Sequence, residues 1–168
     1  KAGGMGLGTT RAGAAEGKAT GRQAWDRSLM ENLAPNVTSK TDIAKAVEAE
    51  GADSVSLINT LLGMAIDVER RRPMLSTITG GLSGPAVRPI AVRMVWQVCK
   101  AVNIPVIGLG GLMNGRDALE FIMAGATAIQ VGTANFIDPA VTVKIIDEIN
   151  GYLDRNNFKS LSEIRGII

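Results

Sequence analysis

Short apolar runs without polar alternation recur along the chain, each following a stretch of helical periodicity and each ending in a glycine or a small polar pair. Thr41 can cap a helix whose Ile43, Ala46 and Val47 face inward and which stops at Gly51. Val55 to Ile58 then reads as a strand that delivers Asn59 and Thr60 at its C-terminal end. Pro85 and Pro89 suit the start of a second helix, with Ile90, Met94, Val95, Val98 and Val102 as its apolar stripe. Pro105-Val106-Ile107 is the next strand, and it runs into Gly108-Leu109-Gly110-Gly111. Asn114 caps a third helix with Asp117 in its first turn, Ala118, Phe121 and Ile122 at helical spacing, and Gly125 as its stop. Ala128 to Val131 is a further strand followed at once by Gly132-Thr133, and a last helix runs from Val141 to about Asn156, ending at the Asn156-Asn157 pair. Strands of this uniform apolar kind belong to a parallel sheet covered on both faces.

Other stretches are less regular. Residues 1–13 read as a glycine-rich loop, and 14–27 as a helix weakened by Gly17 and Gly21, each costing ~1 kcal/mol relative to alanine. A strand is expected near Leu29-Met30, although Glu31 and Asn32 are polar where a barrel strand is apolar. The segment from Leu61 to Gly84 reads as a loop too long for a bare connector, with Glu69-Arg70-Arg71-Arg72 as a solvated turn. Alternating strand and helix implies a parallel sheet with right-handed crossovers. About four such units are present, against the eight of a closed barrel. The expected fold is therefore α/β: the C-terminal half of a (β/α)8 TIM barrel, one partial domain over 1–168, its N-terminal half lying before Lys1.

Composition narrows the chemistry. Aromatics make up only 4% of the 168 residues, so the core is expected to be aliphatic, and a net charge of +2 gives no case for nucleic acid. No segment has the length and apolarity of a membrane span, and a single cysteine excludes an internal disulfide, which fits a cytoplasmic protein. The absence of histidine removes imidazole bases and histidine metal sites, and no metal ligand set is expected. Cys99 lies beside an apolar stripe and reads as a packing residue. The glycine turns closing two consecutive strands are the sequence's strongest chemical signal, because such turns hold a phosphate in barrel enzymes. Neither is a nucleotide fingerprint: Met113 breaks G-x-G-x-x-G, and GGLSGP lacks the P-loop lysine.

The segments LAPNV, ADSVSLINTLLGMAIDVERRRPM, TGGLSGPAVRPIA, IPVIGLGG and AIQVGTANF occur in one order between Leu33 and Phe136, within a likeness that runs from Asn36 to Ile168. In that order the chain resembles the class 1 dihydroorotate dehydrogenases, and most of all the NAD-linked subtype. The resemblance implies an FMN-dependent barrel enzyme that oxidises (S)-dihydroorotate to orotate in pyrimidine biosynthesis. It implies that Asn59 and Thr60 hydrogen-bond the pyrimidine, that Ile58 lines the flavin, and that Gly84, Gly110, Gly111, Gly132 and Thr133 take the FMN ribityl phosphate. An amide and a hydroxyl at a strand end do suit a planar polar ring. The family's base is a cysteine in a loop expected upstream of Lys1, so no catalytic residue is assigned within the chain, and Asn32 stands where the family has a lysine. The 168 residues alone are accordingly expected to be inactive. The implied assembly is a homodimer with an FAD and iron–sulfur subunit, since one cysteine cannot hold a cluster. Alternatives are the FMN domain of a dihydropyrimidine dehydrogenase, a non-redox phosphate-binding barrel and a non-catalytic interaction fragment.

Overall fold

The computed structural model describes residues 40–168. The expectations placed on the opening loop, the glycine-bearing helix, the strand at Leu29-Met30 and Asn32 lie outside the described residues.

Helix α1 (Lys40–Ala49) buries Ala44 and Val47. Ile43 is half-buried beside them, whereas Ala46 is exposed, because the inward face follows the three-residue step from Ala44 to Val47. The helix stops as expected: Gly51 takes φ 82°, and the Ala52 N–H donates back to the Val47 carbonyl at 3.2 Å. Strand β1 (Val55–Leu57) follows. It pairs in parallel with β6 (Val106–Leu109), in register from Val55 opposite Val106 to Leu57 opposite Gly108. β6 pairs in parallel with β7 (Ala128–Gln130), giving the sheet order β1-β6-β7. Helix α2 (Arg88–Cys99), entered through a short 3-10 turn at Pro85–Val87, packs against β1 and β6. Helix α3 (Gly115–Met123) connects β6 to β7. This is the expected α/β alternation, consistent with part of a (β/α)8 barrel.

Burial grades across the sheet. Central β6 has Val106 and Gly108 buried and Ile107 and Leu109 half-buried. β7 departs from the expectation of a strand covered on both faces, since Ala128 and Gln130 are exposed. Among the described residues β7 pairs only with β6. The core is aliphatic around one ring, with Phe121, Met94, Val95, Val98, Val55 and Ile145 fully buried. Gly108 makes room for that ring, because a Cβ there would stand 2.5 Å from Phe121 Cδ1.

The segment from Leu61 to Gly84 is not a loop but an antiparallel ribbon. β2 (Leu61–Met64) pairs with β5 (Thr79–Leu82), and β3 (Ile66–Asp67) with β4 (Arg72–Pro73). Leu61 and Gly63 are half-buried while Leu62 and Met64 are exposed. That period of two is invisible in LLGM because both faces carry apolar side chains. Glu69 to Arg72 form the exposed tip, as expected of a solvated turn. Helix α4 (Ala134–Ile137) and helix α5 (Val141–Arg155) follow β7, Asn157 takes the left-handed φ of 58° expected at the end of α5, and a 3-10 turn at Leu161–Glu163 leads to the buried Ile164.

Gly108→Ala should lower stability by about 1–3 kcal/mol through overpacking, and adding Phe121→Leu should recover part of that loss. Chemical denaturation reads both, and a cost below about 0.5 kcal/mol would contradict the packing described.

Candidate functional site

Ile58 extends the parallel pairing one residue past β1, its N–H donating to the Leu109 carbonyl at 3.0 Å. Its side chain is buried, and Asn59 and Thr60 follow it at the same edge of the sheet, half-buried and exposed respectively. Asn59 Oδ1 accepts from the Thr60 N–H at 2.8 Å and lies 3.5 Å from the Thr60 hydroxyl. The carbonyl half of the amide is thereby engaged, and the NH2 half is what Asn59 has to offer. The ribbon then brings the chain back: Leu61 lies opposite Leu82, so Ser83 and Gly84 return beside Asn59 and Thr60. Gly81 abuts the Thr60 side chain so closely that no Cβ fits between them.

The turn after β6 meets this edge. Gly110 and Gly111 take φ of 125° and 78°, backbone that L side chains rarely adopt. A Cβ on Gly110 would stand 3.1 Å from Ala91 Cβ and 3.3 Å from Ile58 Cγ1. One on Gly111 would stand 2.6 Å from the Gly84 carbonyl oxygen and 2.9 Å from the Arg88 nitrogen. Ile58, Gly84, Gly110 and Gly111, singled out from the sequence, are thus brought together. The turn after β7 joins them through its hydroxyl, with Thr133 Oγ1 donating to Ser83 Oγ at 3.1 Å. Gly132 beside it is exposed. A Cβ on Gly84 or on Gly132 would meet nothing within 4 Å, so both glycines front open space.

Three residues of this neighbourhood escape the sequence reading. Ser83 is quoted there only as part of a motif that fails. Asp117 is assigned to the helix dipole, yet it is 3% exposed and paired with Arg88. Arg88 itself gives a signal, since a cation in the first turn of a helix opposes the dipole unless a partner holds it. Cys99 fits its expected role: it is half-buried against Gly125, whose Cβ would lie 3.0 Å from the sulfur. Burial pushes its thiol up to about 11, with Arg165 pulling weakly the other way. Among the described residues no helix is long and apolar enough to cross a membrane.

The family model for dihydroorotate dehydrogenase matches residues 7–153, a range that contains every residue of this site. The chain belongs to the dihydroorotate dehydrogenase family. It is 64% identical over all 168 residues to a Bacteroides fragilis protein named dihydroorotate dehydrogenase B (NAD(+)), catalytic subunit, covering 55% of that protein. Proteins of the same name from Porphyromonas gingivalis and a Geobacter species are 55% and 53% identical, with 54% and 55% of their lengths covered. The chain thus spans about half the length of the curated relatives it matches. Across the dihydroorotate dehydrogenase match the glycine turns and the Asn59-Thr60 strand end lie on one side of the sheet, at the C-terminal ends of its strands.

The Cys99 thiol has a direct consequence for pH. A raised folded-state value means that the native protein holds the proton more tightly than the unfolded chain. The stability this contributes is complete below the ordinary thiol range and is lost as pH rises toward about 11. At pH 8 Cys99 should resist iodoacetamide in the folded protein and react readily in urea, as peptide mass mapping would read. Equal labelling in both states would contradict this.

Proposed function

We propose that this chain forms the C-terminal half of the barrel of an NAD-linked dihydroorotate dehydrogenase, an FMN enzyme oxidising (S)-dihydroorotate to orotate in pyrimidine biosynthesis. The observation that carries the reading is that the turns after β6 and β7 and the ribbon return all present glycine backbone at the same edge of the sheet. Gly84 and Gly132 face open space and Gly111 has no room for a Cβ, so these turns offer bare backbone as a cradle. Such a cradle fits a phosphate, because bare backbone can approach its oxygens closely.

On this reading Gly84, Gly110, Gly111, Gly132 and Thr133 hold the ribityl phosphate, with the Ser83 hydroxyl bracing Thr133. Ile58, buried against Gly110, supports the flavin ring from the sheet side. Asn59 donates through its NH2 to a carbonyl of the pyrimidine, and the Thr60 hydroxyl adds a second contact. The bound flavin supplies the acceptor for the hydride that leaves dihydroorotate as its ring C–C bond becomes double. A proton leaves the neighbouring carbon and needs a base. Cys99 is unsuited, with a thiol near 11 on a helix outside the sheet, and the chain has no histidine. The family resemblance implies a cysteine base, a role that Cys99 does not fill.

The relatives are named catalytic subunits, which supports a second subunit carrying electrons to NAD. As the family resemblance implies, that subunit carries FAD and an iron–sulfur cluster. The catalytic subunit pairs with its own copy, and the assembly is cytoplasmic. Neither the family match nor the relatives' names favour a dihydropyrimidine dehydrogenase domain or a non-redox barrel.

The test uses the full-length protein that carries this chain, scored by flavin absorbance and by steady-state kinetics with dihydroorotate. Asn59→Ala should retain flavin and lose roughly 5- to 150-fold in kcat/KM, the range for one lost hydrogen bond to a buried polar partner. Gly132→Val should lower flavin content without loss of stability, because its side chain enters open space rather than the core. Near-normal kinetics in the first variant, or full flavin in the second, would contradict the assignment.

A further inference from the structure

Arg88 begins α2 where the helix dipole disfavours a cation, so its placement calls for a partner. That partner is Asp117, the one buried charged residue of the described core. Arg88 Nη1 donates to Asp117 Oδ1. Glu120 Oε2 approaches Arg88 Nε at 3.5 Å, close enough for attraction although Nε makes no hydrogen bond. The second Asp117 oxygen, Oδ2, accepts from the Met113 N–H at 2.9 Å, two residues beyond Gly111. The Asp117 N–H is itself fixed by Asn114 Oδ1 at 2.9 Å. A single carboxylate thus ties the turn after β6 to the first turn of α2. Those are the segments whose backbones press together, where the Cβ position of Gly111 lies 2.6 Å from the Gly84 carbonyl oxygen.

We propose that Arg88 and Asp117 are a positioning pair that sets the gap between the Gly84 and Gly111 turns, and through it the affinity of the site for a phosphate monoester. The proposal rests on the reading of those turns as the phosphate cradle. The Arg88 guanidinium is committed to two carboxylates, so its charge is already compensated and its effect on a phosphate is exerted through loop position. Lysine at 88 keeps the charge but not the planar fork that can reach Asp117 and Glu120 together. Removing Arg88 alone leaves the buried Asp117 carboxylate without its cation, which endangers folding. A double replacement, Arg88→Met with Asp117→Leu, removes the pair without stranding a charge.

The experiment compares FMN with riboflavin, which differ only in the phosphate, as ligands of the full-length apoprotein. The wild type should prefer FMN. Arg88→Lys and the double variant should each lose at least about tenfold of that preference, in line with the cost of a small displacement in a preorganised site, while riboflavin affinity stays within about threefold. Parallel weakening of both ligands, or an unchanged preference, would overturn the positioning role and leave the phosphate cradle standing. A wild type with no preference for FMN would overturn the cradle, and the positioning role with it. If Arg88→Lys fails to fold, the double variant decides by the same ratio.

Discussion

The contact on which this site depends is the approach of Gly111 to Gly84 and to the backbone of Arg88. With 2.6 Å between the place a Cβ would occupy and the Gly84 carbonyl oxygen, only glycine fits, and its φ of 78° independently excludes most side chains. This contact joins the turn after β6 to the start of α2. It also fixes the end of the ribbon, because Gly84 directly follows Ser83, which in turn receives the Thr133 hydroxyl. Three loops from distant parts of the sequence are therefore held to one another through glycine backbone and small hydroxyls.

Rigid elements stand behind that contact. β6 is the middle strand, and Phe121 seals it from the α3 side by occupying the space that Gly108 leaves. The Arg88–Asp117 pair ties α3 to the start of α2. Packing of this density moves as a unit rather than bending residue by residue. A binding turn supported in this way is held in position before any ligand arrives, which reduces the ordering cost of binding.

The strand–helix alternation was readable because each buried strand is a short apolar run ended by glycine or a small polar pair, and because α1, α3 and α5 carry a recognisable stop or cap. Asn114 caps α3 through Asp117, and Asn157 takes its left-handed turn, both as their residue types imply. The ribbon was hidden because its outward side chains, Leu62, Met64 and Ile66 among them, are as apolar as its inward ones. The exposed face of β7 was equally hidden, since a uniformly apolar run carries no mark of which strand lies at an edge. The glycines of the site were visible as a pattern, but the reason for each was not. Gly111 is required by close backbone contact and Gly110 by its φ of 125° and the side chains of Ala91 and Ile58, whereas Gly84 and Gly132 leave space in front of them. Arg88 and Asp117 lie 29 positions apart, and only the fold brings them together.

The central claim is that the turns at Gly84, Gly111 and Gly132 receive the phosphate of a bound flavin. A crystal structure of the full-length protein with FMN tests it most directly. The account predicts phosphate oxygens about 2.7–3.2 Å from backbone nitrogens of these turns, with the flavin ring against Ile58. A phosphate bound elsewhere, with these turns facing solvent, would contradict it.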